Sequence, residues 1–184
     1  MTVPRVTPTG SQTVGPFFHI GMAASPGHSL VAAEVPGTRI AVRGRVIDGN
    51  GEGVPDAVLE IWQADAGGDY PGAGSRFRGF GRIYTGAAGV FDFTTIKPGR
   101  VPGSGSTPQA PHLVLHVFMR GLLRHLTTRL YFSDEPSNNE DAVLQLVDAT
   151  RRPTLIARHV PSAGAVYEWN IILQGADETV FLEY

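Results

Sequence analysis

In His112-Leu-Val-Leu-His-Val-Phe-Met-Arg120, apolar side chains take every second place: Leu113, Leu115, Val117 and Met119. His112, Val114, His116, Phe118 and Arg120 take the places between. A period of two puts the first set on one face of a β-strand and the second on the other. The apolar set marks a core face. The mixed set faces outward and closes on Arg120 beside Gly121, where strand gives way to turn and a guanidinium can reach a carboxylate past the sheet edge. The same geometry argues against chelation by His112 and His116. On a helix that spacing would share one ion, but on a strand four rises of roughly 3.3 Å hold the two about 13 Å apart.

The alternation recurs along the chain. Ile40, Val42 and Val46 alternate with Arg39, Arg43 and Arg45 ahead of the turn Asp48-Gly-Asn-Gly51. Leu59 and Ile61 oppose Glu60 and Trp62 within 57–63, and Phe91 and Phe93 oppose Asp92 and Thr94 within 89–96. Further strands are expected at 81–85, 125–132, 153–160, 166–173 and 178–183. Many short strands separated by turns predict an all-β fold, an antiparallel β-sandwich. One helix is expected at 138–148, where Val143, Leu144 and Val147 recur at helical spacing after Ser137-Asn-Asn-Glu140, a capping-box pattern. Residues 65–80 and 98–110, rich in Gly, Pro and Ser, read as long loops. Residues 1–38, broken repeatedly by Pro and Gly, read as an extended N-terminal arm. Phe17, Phe18 and Ile20 in its middle would each forgo roughly 1.5–3 kcal/mol of burial if left in water, so the arm is expected on a surface, its own or a partner's.

Composition narrows the function. With 184 residues, 42% hydrophobic, the chain suits one core, and 1–184 reads as a single domain. The 15 Lys and Arg against 17 Asp and Glu provide no bulk attraction to nucleic acid or anionic lipid. The absence of Cys excludes disulfides, thiolate nucleophiles and Cys-held metals. The first residues lack a signal-peptide pattern and no apolar run suits a membrane span, so a cytoplasmic protein is expected. The Gly-x-Gly occurrences lack the strand-turn-helix setting of a phosphate loop, and the serines form no nucleophile elbow. Glu60, Asp65 and Asp69 read as solvated carboxylates, and Trp62 and Trp169 as packing residues. Read residue by residue, the chain is a β protein with an anchored arm and no self-contained catalytic set.

Five segments taken together resemble one family: Ser11-Gln-Thr-Val-Gly-Pro-Phe17, Leu59-Glu-Ile-Trp-Gln-Ala-Asp65, Thr94-Thr-Ile-Lys-Pro-Gly99, Ala110-Pro-His112 and Thr128-Arg-Leu-Tyr-Phe132. They are similar to the intradiol ring-cleavage dioxygenases, and the likeness runs from 11 to 184. The catalytic subunits of that family hold Fe(III) with two Tyr and two His, the His pair in a His-x-His on one strand, roughly 6–7 Å apart on one face. By this resemblance His112 matches the first His and Val114 stands at the second. The Tyr positions are read onto Val90 or Phe91 and onto Val101. The resemblance thus implies an α-type subunit that binds no metal, has no catalytic residue of its own and pairs with a homologous iron-binding β subunit. The family's α-type residues that line the β site match Thr13, Gly15, Pro16, Phe17 (a place that can be Tyr) and Arg120. The implied substrate is protocatechuate, opened with O2 to 3-carboxy-cis,cis-muconate. A self-sufficient homomeric dioxygenase and a noncatalytic binding module on the same scaffold are the alternatives.

Overall fold

The computed structural model describes residues 10, 12–22, 29–103 and 107–183. The strands are β1 (Arg39–Ile47), β2 (Val58–Gln63), β3 (Phe80–Tyr84), β4 (Val90–Ile96), β5 (His112–Phe118), β6 (Leu126–Phe132), β7 (Ile156–His159), β8 (Val166–Glu168) and β9 (Ile171–Ile172). Two short helices accompany them, α1 (Pro16–Met22) and α2 (Ala142–Leu146).

The strands hydrogen-bond in the order β3-β2-β5-β6-β7-β8-β1-β4, with β9 beside β1. The two ends of this path, β3 and β4, touch, so the sheet nearly closes on itself. The all-β expectation is met. A wholly antiparallel sheet is not, because β1 runs parallel to β8 and to β9, and β6 parallel to β7. Leu113, Leu115 and Val117 of β5 are fully buried, as their alternation requires, and face Ile40, Val42 and Val46 of β1 and Phe91 and Phe93 of β4 across one core.

The approach of β8 and β9 to β1 depends on a missing side chain. A Cβ on Gly44 would stand 1.6 Å from the Trp169 carbonyl oxygen. With none there, the chain crosses close, Trp169 N–H donates to the Arg43 carbonyl, and the indole Nε1 reaches the Thr154 carbonyl at 2.8 Å.

Several expected elements come out differently. The arm is not extended throughout, since α1 occupies its middle. The helix of 138–148 is a 3₁₀ turn, Pro136–Glu140, followed by α2. The cap is Asp141, not Ser137: its Oδ1 accepts the Leu144 N–H at 2.8 Å, while the buried Ser137 hydroxyl has no partner among the described residues. The strand of 153–160 begins as a 3₁₀ turn, Arg152–Leu155, and only β7 is extended. That of 166–173 breaks at Trp169-Asn170 into β8 and β9, and 178–183 forms no strand, though Thr179 and Leu182 N–H groups bond the Ile172 and Thr127 carbonyls.

Candidate functional site

Two neighbouring parts of the β5 wall carry the residues of interest. The first is the end of β5. Gly121 has φ +92, a left-handed turn that a side chain would strain, and its N–H donates to the Thr13 hydroxyl at 2.9 Å. That bond pins the arm to the strand end. The Gly15 carbonyl accepts the Phe18 N–H at 3.0 Å, opening α1, and the Phe18 ring rests on Phe118 with centroids 5.8 Å apart. Thr13, Gly15 and Arg120 are thereby gathered at one place. Pro16 starts the helix, its side chain outside the described residues. Phe17 is 82% exposed and Ile20 65%, so α1 is seated on its own chain through Phe18 while two large apolar groups face away.

Arg120 lies outward at the strand end and already has a partner within its own chain. It pairs with Asp56 at 2.8 Å, the guanidinium exposed and the carboxylate half-buried. Beneath the arm lies a cavity of about 790 Å³, walled by Gln12 and Val14 of the arm, by His116, Phe118 and His125, and by Phe181 near the C-terminus. His116 Nδ1 lies 3.0 Å from the Thr127 hydroxyl, and burial, then the neighbouring His125, lowers its pKa.

The second part is the outward face around His112. Antiparallel register sets His112 opposite Tyr131 and Val114 opposite Arg129, with Trp62 on the other side of Val114. His112 is buried and its Nδ1 lies 2.8 Å from the Ala110 carbonyl. An acceptor at Nδ1 fixes the proton there, so Nε2 carries the lone pair. Burial, and after it the Arg129 charge, pushes the imidazole pKa down to about 4.

The donor set does not fit ferric iron. Val114 and Val101 offer no ligand, and among the described residues no three His, Cys, Asp or Glu side chains gather. Val90 and Phe91 do not belong to this site. They lie on β4, across the core from β5, with Phe91 pointing inward. Two tyrosines among the described residues reach the His112 face: Tyr131, its ring centroid 5.7 Å from that of His112 and its hydroxyl donating to Asp141, and Tyr70, stacked on Trp62 with centroids 5.8 Å apart and planes 4° from parallel. The loop of Tyr70 is held by Asp65, whose carbonyl accepts from Gly99 and Gly68 and whose Oδ1 accepts from Gly67 and Asp69. The sequence held that signal in Gln63-Ala-Asp-Ala-Gly-Gly-Asp-Tyr70, directly after β2. It escapes a reading by alternation because the residue sits on a loop.

Residues 14–175 match the family model described as Dioxygenase. The chain belongs to the intradiol ring-cleavage dioxygenases. Within that family it is 40% identical, over the full length of both chains, to the protocatechuate 3,4-dioxygenase alpha chain of Pseudomonas putida. It is 32% identical to the protocatechuate 3,4-dioxygenase beta chain of Burkholderia cepacia, over 92% of this chain and 77% of that one. Among solved structures, the dioxygenase domain of a dioxygenase carbohydrate-binding fusion protein from Streptomyces sp. SirexAA-E superposes with a TM-score of 0.66 at 32% identity, covering 95% of this chain and all of that one. No described helix is long and apolar enough to cross a membrane.

Proposed function

We propose that this chain is the α-type subunit of a heteromeric protocatechuate 3,4-dioxygenase, walling an iron site that a homologous β subunit carries. The observation that carries the reading is the His112 face: a family built around ferric iron is here represented by a chain in which valines stand at 101 and 114 and the Arg129 guanidinium lies among the potential donors, so that His112 and the nearby tyrosines lack the rest of a ligand set. Full-length likeness to an α chain, beside weaker likeness to a β chain, supports the same assignment.

The arm supplies the docking element in this reading. Phe17 and Ile20 lie uncovered on a helix that Thr13 and Phe18 already hold in place, so little ordering entropy remains to be lost when a partner covers them. Thr13, Gly15, Pro16 and Phe17 then form a wall of the neighbouring pocket, and Arg120 beside them faces the substrate carboxylate. Phe17 contributes apolar surface without a hydroxyl. Arg120 can leave Asp56 at small cost, since a pair whose arginine end stands in water is worth about 1 kcal/mol or less, and a charge-assisted bond to a carboxylate in a drier pocket returns about 1.5–3 kcal/mol.

The test is co-expression with a β subunit, followed by iron analysis and protocatechuate-dependent oxygen uptake. The chain alone should be colourless and inactive, and the pair should hold iron and consume oxygen. Stoichiometric iron or oxygen uptake in the chain alone would overturn the assignment and favour a homomeric enzyme.

A further inference from the structure

The face that carries His112 and Val114 also carries a buried permanent cation. Directly opposed residues of antiparallel strands stand about 4.5–5.5 Å apart, so His112, Val114, Arg129 and Tyr131 form one square on the outer side of β5 and β6. Arg129 is only 8% exposed. Its Nη1 donates to Gln109 Oε1 at 2.7 Å and to the Tyr131 hydroxyl at 3.3 Å. The Tyr131 hydroxyl donates to Asp141 Oδ1 at 3.2 Å, and Asp141 Oδ2 accepts the Ala110 N–H at 2.8 Å. One network therefore joins the 98–110 loop, β6 and the cap of α2.

Beside it, His112 is poised as a metal-binding imidazole is: Nδ1 bonds a carbonyl, and Nε2 is buried without a hydrogen-bond partner among the described residues. We infer that Arg129 keeps metal ions off His112, its guanidinium supplying at this place the positive charge that a bound ion would otherwise bring. Three physical facts support this. Asp141 is fully buried, and a buried carboxylate needs a compensating charge close by. A guanidinium does not deprotonate, so unlike Lys or His it cannot yield to an incoming cation by shedding its proton. Like charges a few ångströms apart in a weakly screening interior repel far more than they do in water. The valine at 114 is then only half of the reason that this face takes no ion.

The chain alone, without partner or substrate, is titrated with Co(II), and calorimetry and visible absorption read the binding. Val114→His sets a second imidazole on the same face, roughly 6–7 Å from His112. With Arg129 in place this variant should bind Co(II) no better than the parent chain. Val114→His with Arg129→Gln and Asp141→Asn, which removes both buried charges while leaving polar groups at both places, should bind at least a hundredfold more tightly and show the absorption of protein-bound cobalt. Val114→His with Arg129→Lys, whose ammonium can shed its proton to an incoming ion, should bind more tightly than Val114→His and less tightly than the triple variant, the more so as the pH rises. Tight binding by Val114→His alone would overturn the inference, as would a folded triple variant that binds no better than Val114→His. Should the triple variant fail to fold, Val114→His with Arg129→Met takes its place. If that fails too, Val114→His decides alone, its failure to bind supporting the inference.

Discussion

Arg120 already has a carboxylate, Asp56, and the two claims on its guanidinium differ in strength. Because the guanidinium end of the resting pair is open to water, Arg120→Leu should change the unfolding free energy by about 1 kcal/mol or less. In the assembled enzyme it should raise KM for protocatechuate by roughly tenfold to a hundredfold, the equivalent of about 1.5–3 kcal/mol. Catechol, with no carboxylate, should be almost unaffected. Steady-state oxygen uptake with both substrates checks this, and equal losses on both would assign Arg120 to the subunit interface. His112 gives a prediction of another kind. Folded, it stays neutral until the pH nears about 4, whereas unfolded it takes up its proton near the ordinary 6.5. Between those values the unfolded chain binds the extra proton. Stability that is complete above 6.5 is therefore lost as the pH falls toward 4, by on the order of 3 kcal/mol. Urea unfolding at pH 7.5 and 4.5 should show a smaller drop in His112→Phe than in the parent chain. Equal drops would acquit this residue.

The arm is an element that stabilises little and recognises much. The main core is drawn from β1 onward, so deleting residues 1–22 should leave the chain folded, with a melting temperature within a few degrees of the parent. The same deletion should abolish co-purification with the β subunit, because Phe17 and Ile20 go with it. A deleted chain that still pairs and supports turnover would make the arm dispensable. Elements of this chain were readable in proportion to how local their causes are. β5 needs only its own alternation, and Leu113, Leu115 and Val117 are buried as read. The cap of α2 was misread because two acceptors compete for it. Ser137 satisfies the motif, but Asp141 sits where the Ala110 N–H also arrives, and that meeting is tertiary. The pieces β7, β8 and β9 are each four residues or shorter, and parallel neighbours from distant parts of the chain fix them, which no periodicity records. At the site, the arm came from motif likeness, and Arg120 from strand alternation that the likeness then reinforced. Tyr70 required the fold of the loop that Asp65 holds after β2, and Arg129 the register between β5 and β6.

At the scale of the whole molecule, closure of the sheet rests on β1, which has β4 on one side and β8 and β9 on the other. Gly44→Ala places a Cβ against the backbone of Trp169, which cannot swing aside as a side chain can. It should cost on the order of 3 kcal/mol or more, measured by urea unfolding. A cost below about 1 kcal/mol would mean that the crossing can widen freely. The same arrangement governs timing during synthesis. β1 ends at residue 47 and β8 begins at 166, so at 5–20 residues per second roughly 6–24 s separate their emergence from the ribosome. For that interval one edge of β1 has no strand beside it, and a bare edge accepts any extended segment within reach. Two homologous subunits made side by side would each offer the other a near-copy of the missing strands, so the order and spacing of their translation bears on how much correctly paired enzyme a cell recovers.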